Sequence, residues 1–138
     1  MTDAEANDRV AIRELLLRYA RGVDARDLAL VDSCFAPGAG YRGALATGTI
    51  ADALAALSTA MHRYSATRHA NTAHTLAIDG DAARSSADCT AQHWLPDGSC
   101  RTVRVRYHDE LARGPDGWRI TRREVEQVRT RSEEVPDV

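Results

Sequence analysis

Two side chains about forty-five positions apart have the types and setting for acid–base chemistry: Asp24, in the run Gly22-Val23-Asp24-Ala25-Arg26-Asp27, and His69, in Thr67-Arg68-His69. A carboxylate that accepts the N–H of one imidazole nitrogen fixes the tautomer and stabilises the imidazolium, leaving the other nitrogen as a general base at neutral pH. A second imidazole, His93, and the hydroxyls of Tyr19, Tyr41 and Tyr107 could serve a developing oxyanion or a leaving group. Base catalysis of this kind supplies about 10²–10⁴-fold, enough for an acidified C–H and not for an inert one. The expected substrate is therefore an activated small organic molecule.

Composition removes several other chemistries. The 138 residues suit one domain, and 18 basic against 20 acidic residues leave a formal charge of -2, with no field to attract nucleic acid or a membrane surface. All the basic residues are arginine, so a lysine Schiff base, a pyridoxal-phosphate anchor and a P-loop lysine are excluded. Cys34, Cys89 and Cys100 are odd in number, show no C-x-x-C spacing and follow an acidic rather than signal-like start, which predicts reduced thiols in a cytoplasmic protein. Apolar stretches such as Ala53 to Leu57 are too short to cross a bilayer. His69 and His74, five apart on a strand, are expected on opposite faces, and no short-spaced ligand set appears, so neither metal nor cofactor is expected.

The elements that must position these groups follow from periodicity. Ile12, Leu15, Leu16, Tyr19, Ala20 and Val23 form an i, i+3, i+4, i+7 stripe, one face of an amphipathic helix. Asp24 lies five residues after Tyr19, about 140° round an unbroken helix, so both face one cavity only if the helix bends or ends near Gly22. Asp27 caps a short second helix through Leu28, Leu30, Val31 and Phe35, which Pro37-Gly38 should stop. Ala39 to Gly48 reads as a loop or edge strand, and Thr49 with Asp52 opens a third helix through Leu54, Leu57 and Met61. The second half switches to period two: strands over Thr72 to Ile78, Ala82 to Leu95, Ser99 to Ala112 and Trp118 to Val128, joined at Asp79-Gly80-Asp81, Pro96-Asp97-Gly98 and Gly114-Pro115-Asp116-Gly117. This is an α+β domain spanning 1–130, a cone-shaped curved antiparallel sheet wrapped around a long N-terminal helix, with a flexible tail at 131–138. Parity turns His93 inward with Ala83, Ala87, Cys89 and Ala91, and Tyr107 inward with Val103 and Val105. A cone of this kind is a default small-ligand pocket.

The order Ile12-x-x-Leu15-x-x-x-Tyr19, Gly22-Val23-Asp24-x-x-Asp27, Phe35-Ala36, Thr67-Arg68-His69, Ile78-Asp79-Gly80-Asp81-Ala82, Tyr107-x-Asp109-Glu110 and Asp116-Gly117-Trp118-Arg119-Ile120 resembles the SnoaL-like branch of the nuclear transport factor 2-like superfamily, from Ala11 to about Val128. Within it the chain is similar to the scytalone dehydratase, bile-acid dehydratase and hexachlorocyclohexane dehydrochlorinase type. The resemblance implies a catalytic Asp24 and His69, with His93 as a second active-site histidine. It implies that Tyr41 polarises a carbonyl and that Tyr19 stands at a substrate-binding position. Val23 replaces a tyrosine of the scytalone dehydratases, and Tyr19 a lysine of the dehydrochlorinase, so the substrate must differ.

Bland roles compete with each assignment. Asp24 could be only a helix cap, His93 could bond a backbone carbonyl, and the three tyrosines could be core aromatics. Arg104/Arg106 and Arg122/Arg123 read most simply as solvated strand faces or subunit contacts, and Trp94 and Trp118 as packing residues. Three functions remain open: a cofactor-independent lyase or isomerase acting on a small hydrophobic or aromatic substrate, a polyketide cyclase-like enzyme with a larger polycyclic substrate, and a non-catalytic binding or assembly domain. The alternation of apolar and arginine residues on the late strands predicts a homo-oligomer, dimer or trimer.

Overall fold

The computed structural model describes residues 1–133, with side chains to residue 131. Helix α1, Asp3–Asp24, starts at a reciprocal cap in which the Glu5 amide donates to Thr2 Oγ1 at 3.1 Å and the Thr2 amide to the Glu5 carboxylate at 3.2 Å. Its apolar stripe buries Ile12, Leu15, Leu16, Tyr19 and Val23. The helix continues through Gly22 and ends two residues later, at Asp24. That glycine lets the next helix approach, since a Cβ there would stand 2.8 Å from Val31 Cγ2. Arg26, at φ 58, turns the chain into α2, Leu28–Asp32, whose cap is Asp27, accepting the Leu30 amide at 3.0 Å.

Helix α2 ends at Asp32, not at Pro37-Gly38. Phe35 already belongs to strand β1, Phe35–Arg42, and the Pro-Gly pair sits in an irregularity where pairing jumps from Phe35 with Ile120 to Gly40 with Arg122. Strand β2, Thr47–Thr49, folds back on β1, and α3, Ile50–Met61, opens where the Thr49 amide donates to Asp52 at 2.9 Å. The late strands are β3, Ala66–Asp79, β4, Ala82–Trp94, β5, Cys100–Gly114, and β6, Gly117–Glu133. They form the expected antiparallel meander, and β1 adds to β6 in parallel, giving the sheet order β2-β1-β6-β5-β4-β3. Residues 131–133 of the expected tail thus belong to β6, paired with Thr102, Arg101 and Cys100; 134–138 lie outside the described residues.

Three bulges decide which side chains face α1. In β3 the register slips between Asn71 and His74, so that His69 opposes Ala91 while His74 opposes Ala87. Both histidines therefore lie on the inner face, contrary to the simple count. In β6, Thr121 and Val128 are extra residues, because Leu111 pairs with Ile120 but Glu110 with Arg122, and Val105 with Gln127 but Arg104 with Arg129. Past Ile120 the inward positions become Arg123 and Val125. Arg123 is accordingly fully buried, 0 % exposed, which overturns its reading as a solvated residue.

Candidate active site

Asp24 is the last residue of α1 and reaches sideways to the start of β3, where three donors converge on its carboxylate. His69 donates its ring Nδ1–H to Oδ1 at 2.7 Å and its backbone N–H to Oδ2 at 2.9 Å, and Thr67 donates its hydroxyl to Oδ1 at 3.0 Å. The expected end of the helix near Gly22 falls at Asp24 itself, and the 140° from Tyr19 directs its carboxylate to β3. Tyr19 lines the cavity, whereas Asp24 stands behind His69, whose ring carries the interaction to the cavity wall. Burial pushes the Asp24 carboxyl up, but the His69 ring, the His69 amide and the Thr67 hydroxyl outweigh it and hold the group below its ordinary value. A carboxylate so held is ionised at neutral pH and keeps the His69 proton on Nδ1, which leaves Nε2 with its lone pair.

The cavity lies between α1, α3 and the inner face of the sheet and encloses about 210 Å³. Val23, Leu57, Met61, Val103, Val105 and Val125 make its walls apolar, while His69, His93, Tyr19, Tyr41 and Tyr107 supply the polar groups named from the sequence. A larger trough of about 650 Å³ is open to solvent over the late strands, lined by charged residues such as Arg84, Glu110 and Arg122, and none of those five groups reaches it.

His93 meets the edge of the His69 ring, centroids 5.8 Å apart at 88°, and the Tyr64 ring covers it at 4.7 Å. Burial, reinforced by the neighbouring His69, lowers its pKa from 6.5 to about 4. His93 is thus a neutral donor or acceptor at pH 7. The unfolded chain binds a proton on His93 that the folded chain refuses between those two values, so stability is complete above about pH 6.5 and falls as pH falls toward 4. Urea unfolding should show His93→Gln losing less stability between pH 7 and pH 4.5 than the parent, by on the order of 2 kcal/mol; equal losses would remove His93 as the source. His74, whose Nε2 lies 2.8 Å from Ser85 Oγ, contributes a loss of the same sign in both proteins.

The tyrosines share the floor. Tyr19 packs edge-on against Tyr107 at 5.7 Å and Phe35 at 6.1 Å. Burial raises the pKa of Tyr19, Tyr41 and Tyr107, so all three remain protonated donors and none can be a base near neutrality. Beneath them sits the group that sequence reasoning missed. The Arg123 guanidinium lies 4.0 Å from the Tyr107 centroid and 4.5 Å from that of Tyr19, and it donates through Nε and Nη2 to the two oxygens of Asp109 at 2.8 and 2.9 Å. Its Nη1 has no partner. Burial disfavours the charge, but the Asp109 carboxylate more than compensates, and the arginine stays charged. The available signal was Asp109, which falls by parity on the inner face between Tyr107 and Leu111, where a charge requires a partner.

Thr67 and Tyr64 were also unassigned, and Trp118 gains a definite role: buried, it donates to Asp8 at 3.1 Å beside the Arg113–Asp8 ion pair. Cys34, Cys89 and Cys100 are free and buried. Among the described residues, no group of three or more His, Cys, Asp or Glu could hold a metal ion. No helix among them is long and apolar enough to cross a membrane.

Known proteins share this arrangement of elements. The SnoaL-like domain family matches residues 4–124. An uncharacterised protein of Mycobacterium tuberculosis is 30% identical over 126 residues, covering 87% of this chain and 85% of its own. The Kfla4162 protein of Kribbella flavida superposes with a TM-score of 0.83 at 32% identity, over 94% of this chain and 95% of its own. A provisionally named scytalone dehydratase of Novosphingobium aromaticivorans superposes with a TM-score of 0.86 at 19% identity, over 99% and 94% respectively, which shows a shared fold. With its curved sheet and N-terminal helix, the chain belongs to the SnoaL-like domain family.

Proposed function

We propose that the protein is a cofactor-independent lyase of the dehydratase kind, with His69 as base and Asp24 as the carboxylate that orients it. The observation that carries this reading is the double engagement of Asp24 by the ring and the backbone of one histidine at the wall of an apolar cavity. In the reaction, Nε2 of His69 takes a proton from carbon next to a carbonyl, and the C–H electron pair forms the new C=C bond. The C–O bond to the leaving hydroxyl breaks, and that oxygen, held by neutral His93, recovers the proton from the His69 imidazolium and departs as water. A tyrosine hydroxyl from Tyr19 or Tyr41 donates to the carbonyl oxygen as charge develops there. Asp24 stabilises the imidazolium throughout.

A cavity of about 210 Å³ is smaller than the roughly 300–1,000 Å³ of common ligand sites. This favours a small substrate over the polycyclic one that a polyketide cyclase requires. Activity can be sought without the natural substrate. Small β-hydroxy ketones should yield the conjugated enone, followed by ultraviolet absorbance, and 5-nitrobenzisoxazole should open on loss of its C–H proton. Failure of the parent protein to exceed His69→Ala on any of these would leave the pocket as a binding site only. We also propose self-association through the outer face of the late strands, where Arg106 pairs with Asp88 at 2.6 Å and with Glu126 at 3.5 Å; a monomer at micromolar concentration by light scattering would contradict it.

A further inference from the structure

The cavity lining carries one permanently charged side chain. Arg101 is the single arginine among its lining residues, and no carboxylate lines it. It stands one residue into β5 and pairs directly across the sheet with His93. Directly paired residues share a face with Cβ atoms about 4.5–5.5 Å apart, so the guanidinium can reach whatever touches His93. The side chain is exposed at the wide end of the cone. Among the described residues no carboxylate comes within ion-pair distance of it, whereas Arg106, Arg113 and Arg123 each have one. The inner end is floored by the Tyr19 and Tyr107 rings, and the Arg123 charge beneath them is already paired with Asp109.

This distribution orients a ligand. A carboxylate carried to the inner end would meet apolar walls and aromatic rings, with the one guanidinium there already engaged by Asp109. At the mouth it would meet a planar guanidinium suited to bidentate pairing, directly across the sheet from His93. We propose that the substrate is a small, flat, largely apolar molecule bearing a carboxylate, which Arg101 holds at the cavity mouth while the reacting carbon lies against His69. The assignment rests on the acid–base reading of the site, but binding and turnover are separable.

The probes are trans-cinnamate and its neutral amide, cinnamamide, titrated by calorimetry, with the ring-proton shifts of His69 and His93 reporting the place of binding. The parent protein should bind cinnamate about tenfold or more tightly than cinnamamide, with both histidines shifting. Arg101→Gln should abolish that preference and leave cinnamamide within about twofold, Arg101→Lys should keep part of it, and added salt should narrow it. Asp24→Asn should retain the preference even where turnover is lost, so failure of the catalytic reading would leave this one standing. Equal affinity for the two probes, no binding of either, an undiminished preference in Arg101→Gln, or binding that leaves His93 unshifted would each overturn the proposal.

Discussion

Asp24→Asn should lower proton abstraction from 5-nitrobenzisoxazole by about 10²–10⁴-fold, close to the loss in His69→Ala, although it removes only a charge and keeps the shape of the side chain. The reason is the hydrogen-bond pattern. Asp24 Oδ2 accepts a backbone N–H, which can only donate, so the asparagine carbonyl oxygen must occupy that position. Its NH₂ then replaces Oδ1, where it faces His69 Nδ1 and the Thr67 hydroxyl. An amide donor at Nδ1 forces the His69 proton onto Nε2, the atom that must accept the substrate proton. Turnover is thus lost through the wrong tautomer while the fold survives, and nitrogen-15 spectra of the ring should show the proton moving from Nδ1 to Nε2. Thr67→Val, which removes one of three donors and leaves the tautomer in place, should cost far less. Full activity in Asp24→Asn with the Nε2–H tautomer present would exclude His69 Nε2 as the base.

The parts of this site legible in the sequence were those governed by local rules. The Asp24 position follows from where the α1 stripe ends, and the inward faces of His93 and Tyr107 follow from unbroken alternation along β4 and β5. The pairing of Asp24 with His69 is not local at all, and only resemblance to a family pointed to it. What alternation could not reveal lies beyond a bulge. One extra residue, Thr121, exchanges Arg122 for Arg123 on the inner face, and the slip after Asn71 brings His74 round to the face of His69. Bulges leave little trace in a sequence, because they are set by the curvature that closing the cone demands rather than by the residues in them.

The same exchange implies the largest stability effect in the molecule. Arg123 and Asp109 are 0 % and 1 % exposed and directly paired across β5 and β6, so neither charge has water to fall back on. Asp109→Asn should destabilise the fold by about 3–5 kcal/mol, a melting temperature roughly 10–20 °C lower, because it strands a guanidinium whose Nη1 already lacks a partner. Arg123→Met should cost a comparable amount by leaving the carboxylate alone among apolar groups. The double variant Arg123→Met/Asp109→Leu should recover much of the loss, since two apolar side chains of similar volume replace a pair whose attraction largely offsets its own desolvation. Calorimetric melting of the four proteins decides the matter: additive losses in the double variant would show that the two residues act independently. Packing on the tyrosines separates a further role. If the guanidinium also fixes the Tyr19 and Tyr107 rings at the cavity floor, the double variant should regain its melting temperature and still bind cinnamamide more weakly than the parent.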